Sequence, residues 1–448
     1  MSIFLSFIII FSAAGASPAL ARGNQLVDAS VSFQAPALDS TSTLDDYILF
    51  ALASNPALES SFYRWQAALQ QAPQAGALPE PRLGYGYFLR QVETRAGPQV
   101  QRFGISQAFP WFGKLALARG KAEHTAQARA RNFESDRLEL IERISATYAD
   151  FWLLGRRIEI TGASMDLLAQ AEEIARNRYS TGATGFSQLI KLQLELARLE
   201  DELASLAELA GAQAASFNAM LGRNPGSGLP FPSALDTTFT ELPGHEPEAL
   251  MLAANPLLEG IRELQLAATK EISLAGKQRW PDITFGLDYI QTDKRDMAGL
   301  AANGKDPVIA SVSIGIPLWS GRYAAGEKQA VASLAAYRAS EAELANTLGA
   351  RLQQALFEQS DSRRKAALYG GTLLPGAEQA LRASLTALAA GNSDVLDVLD
   401  SQRTLLSFHL EHERAMARLV KTNARIAALT GQNVQLEPTK DANSSGGY

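Results

Sequence analysis

The amino-acid sequence predicts a mainly α-helical protein with a small β part, built from one module that occurs twice. Residues 115–178 contain no proline and many alanines, which favour a helix. Two pairs of short segments alternate apolar with small or polar residues, as two-faced strands do. The chain also matches itself at an offset near 200 residues, which indicates a duplication.

Composition excludes several classes of function. The 448 residues allow two or three domains at about 150 residues per domain. A net charge of −6, from 41 basic and 47 acidic side chains, argues against a nucleic-acid partner. The absence of cysteine excludes disulfides, thiolate metal sites and lipid attachment through an N-terminal cysteine. With only four histidines, we expect neither a metal site nor a cofactor.

The N-terminus has the pattern of an export signal. Residues 2–14 form an apolar run, and Ala19-Leu20-Ala21 fits a cleavage site, which predicts a signal peptide over 1–21. A short membrane anchor is the alternative, although the run is shorter than the roughly 20 residues that span a bilayer. No later run is apolar enough for a spanning helix, so any spanning segment is expected to be β.

Five landmarks occur in the same order in both halves of the chain, with an offset that drifts from 200 to 209. They predict a polar segment over 22–43, a first repeat over 44–222, a linker over 223–245, a second repeat over 246–432 and a disordered tail over 433–448. The matched landmarks are Asn55-Pro56 with Asn255-Pro256, Pro81 with Pro281, Pro110 with Pro317, Gly182 with Gly391, and Leu221-Gly222 with Leu429-Thr430-Gly431, the last with one residue inserted.

Each repeat is predicted to contain a helix, a β-hairpin and two long antiparallel helices. Pro375 is expected to kink the second repeat's long helix. The connections 91–99 and 291–306 are polar and read as exposed loops. The predicted elements are helices 44–74 and 246–278, strands 82–90, 100–107, 282–290 and 307–316, and long helices 115–178, 186–221, 323–388 and 393–430.

The predicted strands have the length of tilted membrane strands. A sheet of four strands cannot close on itself, and hydrocarbon does not tolerate the unpaired backbone groups at its edges. If these strands cross a bilayer, several chains must therefore share one barrel. A soluble sandwich is the alternative, but four strands are too few for one. A dimeric coiled coil would likewise need strict heptads of large residues, whereas the stripes here are broad and alanine-rich.

The duplicated hairpin-and-long-helix pattern in an exported chain resembles the TolC-type outer-membrane efflux protein family over about residues 44–432. The residues that carry this resemblance are Ser106 to Lys114 at a strand exit, Tyr179 and Gly182 at the first turn, and Asp397-Val398-Leu399-Asp400 after the second.

The resemblance implies a homotrimer with a shared 12-stranded β-barrel in outer-membrane lipid and an α-helical barrel in the periplasm. It implies a passive exit duct, not an enzyme, that serves a tripartite efflux or type I secretion system with a periplasmic adaptor and an inner-membrane pump. The stretch from Phe109 to Lys114 is similar to members that work with heavy-metal pumps. The alternative is a periplasmic adaptor or coiled-coil scaffold without membrane insertion.

The resemblance also places a pore constriction at Asp397 and Asp400, which Asp394 extends; rings of carboxylates there would favour cations. Acids near a helix N-terminus, where the dipole favours them, are the alternative. Some members have a basic latch residue where this chain has Ser393, so latch chemistry is not carried over. His409 and His412 do not match the zinc pattern and read as a surface pair.

Two further groups are candidate site residues. Tyr179, Gly182 and Gly391 lie at the hairpin tips, where turn geometry and adaptor docking explain them equally well. The strand-to-helix junctions hold tryptophans that either wedge the bend or lie in an interfacial belt. We favour the wedge, because proline and glycine flank both. The junction residues are Pro110, Trp111, Gly113, Pro317, Trp319 and Gly321.

Overall fold

A computed structural model describes residues 38–39, 41–182, 185–236, 246–295 and 303–432. The predicted signal peptide, the polar segment up to residue 37 and the predicted C-terminal tail lie outside the described residues. The same holds for residues 237–245 of the predicted linker and 296–302 of the second predicted loop.

Each repeat opens with helices that an Asn-Pro dipeptide separates. The helices are α1 (Leu44–Ser54), α2 (Pro56–Leu69) and α3 (Gln71–Gly76), then α6 (Pro247–Ala254) and α7 (Pro256–Lys277). The predictions of single helices over 44–74 and 246–278 were therefore wrong. Proline lacks an N–H and pushes the preceding residue out of the helical region, so Asn55 and Asn255 are extended and cap the next helix through their side chains.

These two asparagines also tie the start of each repeat to its end. Asn55 Nδ2 donates to the carbonyl of Met220 at 2.7 Å, and Asn255 Nδ2 donates to that of Leu429 at 2.9 Å. Met220 therefore corresponds to Leu429 at a constant offset, without the inserted residue that the sequence comparison suggested.

The glycine that closes each repeat has the same geometry in both. Gly222 has φ +72° and Gly431 has φ +69°, in the left-handed region. A Cβ on Gly222 would lie 2.3 Å from the carbonyl oxygen of Ser54, and one on Gly431 would lie 2.2 Å from that of Ala254. Only glycine lets the chain pass this close to the ends of α1 and α6.

The four described strands form one antiparallel sheet, and their order across the sheet is their order along the chain. The first hairpin turns at residues 95–96, so the prediction of a loop over 91–99 was wrong. Gly97 makes the turn with φ +126°, and the residues beside it are polar, so apolar alternation could not reveal this part of the strands. The strands are β1 (Arg82–Thr94), β2 (Gly97–Phe109), β3 (Ile283–Thr292) and β4 (Val308–Ile314).

The two faces of the sheet differ in character. On one face, Phe103 pairs with Tyr289 and Ile105 with Leu287, and all four residues are 42–49% exposed. On the other face, Arg102 and Asp288 form a bidentate ion pair at 2.7 and 3.0 Å. Further exposed apolar residues of the first face are Leu83, Tyr85, Tyr87, Phe109, Phe285, Val308, Val312 and Ile314.

Two long helical hairpins extend from the sheet. In the second repeat, the predicted helix 323–388 is divided by a π-helical turn, Tyr369–Leu373. At 1.5 Å per residue, the 67 residues of the helix Lys114–Ser180 reach about 100 Å. The helices are α4 (Lys114–Ser180) and α5 (Phe186–Met220), then α8 (Ser320–Leu368), α9 (Leu374–Ala390) and α10 (Val395–Leu429).

Helix α4 packs along α5, α7 and α10, so the two repeats share one helical body. The apolar core near the tips draws on both hairpins, for example Leu168 and Leu192 with Leu381 and Val398. The mainly helical class with a small sheet is thus confirmed. None of the described helices is both long and apolar enough to cross a membrane.

Candidate functional site

An exposed aromatic pair lies beside the first hairpin tip. Helix α4 ends at Ser180, and Gly182 turns the chain with φ +73°. The rings of Tyr179 and Phe186 pack at 5.6 Å on either side of the turn. Their side chains are 44% and 57% exposed, so this pair presents apolar surface at the end of the hairpin.

The second tip combines a helix end with a new helix start. Gly391 has φ +85° and donates its N–H to Leu388 O at 3.1 Å, while Asn392 N donates to Ala387 O at 2.8 Å. These bonds satisfy carbonyls at the end of α9 in the manner of a Schellman motif. Asp394 then stands at the N-cap of α10.

The three acidic residues after this tip do not share one environment. Asp397 accepts a hydrogen bond from Ser393 Oγ at 2.6 Å and from the Asp394 N–H at 3.3 Å, which lowers its pKa. Capping therefore gives Asp397 a structural role. Asp400 lies one turn further along, on the exposed face of α10, whereas Val398 is buried. Asp400 takes no part in the cap.

Arg178 joins the two tips, which sequence patterns did not reveal. Its guanidinium donates to Leu388 O, the carbonyl that the Gly391 N–H also reaches. A Cβ on Gly391 would lie 3.4 Å from Arg178 Nη2. A cation at the C-terminal end of α9 also complements the helix dipole.

A buried carboxylate holds the two hairpins together above the tips. Glu195 on α5, only 3% exposed, bonds Arg403 on α10 at 2.5 Å and Arg198 at 2.7 Å. Burial works to raise its pKa, but the two guanidinium groups outweigh it and hold the pKa below the ordinary value. Long-range pairing of this kind is not visible in a single sequence, because Glu195 and Arg403 lie in different repeats.

The junction after β2 is clamped by residues of the second repeat. Gly113 precedes α4 with φ +83°, and the buried Lys114 donates to Asp282 Oδ1 and to Trp280 O, both at 2.8 Å. Asp282 Oδ1 also accepts from the Trp111 N–H at 2.8 Å. The rings of Trp111 and Trp280 stack at 5.1 Å and 11°. Trp111 therefore packs within the bend that follows Pro110.

The junction after β4 is built differently. Trp319 precedes α8 and is 76% exposed, whereas Trp111 is partly buried. Gly321 is the second residue of α8, whereas Gly113 lies outside α4. Pro317 lies between β4 and α8. Among the described residues, Trp111 has aromatic partners at its bend and Trp319 has none, so the wedge at Trp319 stays a prediction.

Within the described ranges, no group of three or more His, Asp or Glu side chains is arranged to hold a metal ion. The acids near the second tip therefore form no complete metal site within one chain.

Comparison with known proteins agrees with this architecture. The family described as outer membrane efflux protein matches residues 49–223 and 249–432, one segment in each repeat. The chain belongs to this outer membrane efflux protein family. Its location is therefore the outer membrane, with the helical part extending into the periplasm.

Similar proteins include the cobalt-zinc-cadmium resistance protein CzcC of Cupriavidus metallidurans, which is 24% identical over 396 residues, covering 87% of this chain and 90% of CzcC. The crystal structure of VceC from Vibrio cholerae has a TM-score of 0.72 at 20% identity and covers 87% of this chain and 96% of VceC. A CusC structure has a TM-score of 0.75 at 16% identity and covers 88% of this chain and 93% of CusC. Both structures share the fold.

The buried Glu195 predicts a pH dependence of stability. Because its pKa is lowered from 4.5 in the folded protein, its contribution is fully present above pH 4.5 and is lost as the pH falls through the lowered pKa. Glu195→Gln should cost about 2 kcal/mol at neutral pH, since charged hydrogen bonds are lost. It should also flatten the fall in melting temperature on acidification, measured by circular dichroism in detergent.

Glu208→Gln is the matched control, because Glu208 is exposed on the same helix. Equal melting curves for the two variants at every pH would contradict the assigned role of Glu195.

Proposed function

We propose that three copies of this chain form a passive exit duct through the outer membrane and the periplasm. The observation that carries the proposal is the four-stranded sheet, whose apolar face is exposed and whose outer strands β1 and β4 each have one unpaired edge in the described chain. Lipid would cover the apolar face, and neighbouring copies would pair with the edges. Three copies would give twelve strands, an even number that is usual for such barrels.

The long hairpins support the same assembly. A helix of about 100 Å is far longer than a globular core requires, but it suits a tube that bridges the periplasm. In this assembly the polar sheet face, with Arg102 and Asp288, would line the bore. The exposed Trp319 would lie against a neighbouring copy or at the lipid boundary.

The tips would dock a periplasmic adaptor, which in turn binds an inner-membrane pump. The exposed pair of Tyr179 and Phe186 and the turns at Gly182 and Gly391 lie where an adaptor would meet the tube. The pump would supply the energy, so the duct itself would need no catalytic group.

Heavy-metal cations are the proposed cargo. The support is the likeness to CzcC, whose name is that of a cobalt, zinc and cadmium resistance protein. In a three-fold tube, Asp397 and Asp400 would form rings of three carboxylates, with Asp394 beside them. Such rings would attract cations at the narrow end of the duct.

Membrane insertion can be tested with two neighbouring positions of β4. Val312 lies on the apolar face and Ser313 on the opposite face, and both are exposed. A lysine on a lipid-facing strand costs roughly 2–4 kcal/mol near the bilayer midplane. Val312→Lys should therefore abolish outer-membrane recovery and bilayer conductance, and Ser313→Lys should preserve both.

Fractionation of the unaltered protein separates the duct from a periplasmic scaffold. A duct stays in the outer-membrane fraction after a high-salt wash and forms channels in planar bilayers. A chain that washes off and forms none would support the scaffold instead.

The constriction can be tested by removing charge without removing volume. Asp400→Asn with Asp397→Asn should weaken block by multivalent cations and raise single-channel conductance for anions, because the carboxylate rings would be neutral. The asparagine at 397 can still accept the capping hydrogen bonds. Asp361→Asn, on the distant α8, serves as the control; the same change in block for both variants would remove the assignment.

The cargo can be tested in cells. Deletion of the gene should increase sensitivity to cobalt, zinc or cadmium, and expression of the intact chain should restore resistance. Copper, silver, detergents and dyes complete the panel. If only organic compounds become toxic, heavy-metal cations are not the cargo.

A further inference from the structure

The second hairpin contains a backbone irregularity that helices α4 and α5 of the first hairpin lack. Between α8 and α9, residues Tyr369–Leu373 form a π-helical turn, in which the Leu374 N–H donates to the carbonyl of Tyr369, five residues earlier. Single π turns inside long α-helices are rare and are often found at functional sites. Here the turn divides a helical run of about 70 residues, from Ser320 to Ala390.

The local sequence explains why the helix widens here. Pro375 has no N–H, and in a regular α-helix its ring would clash with the carbonyl of Gly371 four residues earlier. Adding one residue to the turn moves that carbonyl aside. Gly370 and Gly371 lower the energetic cost of the wider turn, because glycine has no Cβ and adopts a broader range of backbone angles than other residues.

The first repeat has different residues at the corresponding positions. With the offset of 209 given by Gly182 and Gly391, Pro375 corresponds to Asp166 and Gly370 to Thr161. There α4 continues without interruption from Lys114 to Ser180. The irregularity is therefore a property of the second hairpin and not of the duplicated module.

Helix α10 contacts the π turn at two points. The edge of His412 occupies the space that a side chain on Gly370 would fill, with Nε2 2.8 Å and Cδ2 3.1 Å from an ideal Cβ. One helical turn earlier, the ring of Phe408 meets that of Tyr369 edge-on at 5.6 Å. His412 and Phe408 lie four residues apart and so on one face of α10.

We propose that the Tyr369–Leu373 turn is the hinge about which α9 and the second tip tilt, and that His412 seated on Gly370 holds the untilted position. The inference rests on the proposed duct. Helix α9 has 17 residues, so the hinge lies about 25 Å from the tip. A small rotation there would move Gly391 and the acids that follow it.

The two adjacent glycines provide a matched test. A methyl group on Gly370 would collide with His412, whereas one on Gly371 meets nothing within 4 Å. Both substitutions raise helix propensity alike, so a difference between Gly370→Ala and Gly371→Ala reports the contact with His412. His412→Ala removes the same contact without adding volume, and His409→Ala is its control on the same helix.

The position of the tip can be followed by pulsed electron paramagnetic resonance. The chain contains no cysteine, so Asn392→Cys gives one spin label per copy at the second tip. The distance distribution between copies then measures the aperture, and the open fraction in planar bilayers measures the gate. Melting temperatures show whether each variant is folded.

We expect Gly370→Ala and His412→Ala each to broaden the distance distribution and to raise the open fraction roughly two- to tenfold, as for loss of one packing contact in a two-state element. Gly371→Ala and His409→Ala should match the unaltered protein. The double variant Gly370→Ala with His412→Ala should not exceed His412→Ala alone, because the added methyl then displaces nothing.

Equal effects of the two glycine variants, or no effect of His412→Ala, would overturn the hinge. If Gly370→Ala does not fold, the comparison of His412→Ala with His409→Ala and the unaltered protein tests the hinge by itself. A labelled but otherwise unaltered protein that shows neither distances between copies nor conductance would refute the duct itself. Normal distances and conductance with four indistinguishable variants would refute only the hinge.

Discussion

The structure depends on one constraint: a four-stranded sheet leaves a row of unpaired backbone groups along each outer strand and an apolar face without cover. Hydrocarbon tolerates an apolar face but not an unpaired edge. Water hydrates the unpaired edge, but a contiguous exposed apolar face marks an interaction surface. Pairing between copies inside a membrane satisfies both demands at once. In the proposed duct, the long helices and the bend clamped at Asp282 would connect a membrane sheet to a long periplasmic body.

Duplication accounts for the general plan, and the differences between the copies account for its specialisation. Asn55 and Asn255 close their repeats through the same hydrogen bond, and Gly222 and Gly431 pass equally close to a helix end. These positions are constrained by backbone geometry, so both copies keep them. Elsewhere the repeats diverge. The first has the stacked tryptophan at its junction and the uninterrupted helix, and the second has the π turn and the acids after its tip.

The interactions between the hairpins are polar as well as apolar. Arg178 reaches the end of α9, and Glu195 is shared by arginines of both repeats. The contacts of Arg178 with Leu388 and of Glu195 with Arg403 each join a helix of the first repeat to one of the second near the tips. These contacts attach the two hairpins to each other. Asp397 belongs to this local architecture as a helix cap, while the exposed Asp400 takes no part in the cap.

The sequence by itself determined the fold class, the duplication and the faces of the strands, because apolar periodicity and the positions of proline and glycine act locally. It could not place the hairpin turn at residues 95–96, where the strand ends are polar, and it did not indicate that Asn-Pro divides the first helix of each repeat. Only the tertiary structure showed that Lys114, Asp282 and Trp111 meet, that Glu195 joins the hairpins, and that His412 occupies the space beside Gly370. These contacts join residues 42 to more than 200 positions apart, and their partners are chosen by packing, which no local pattern encodes.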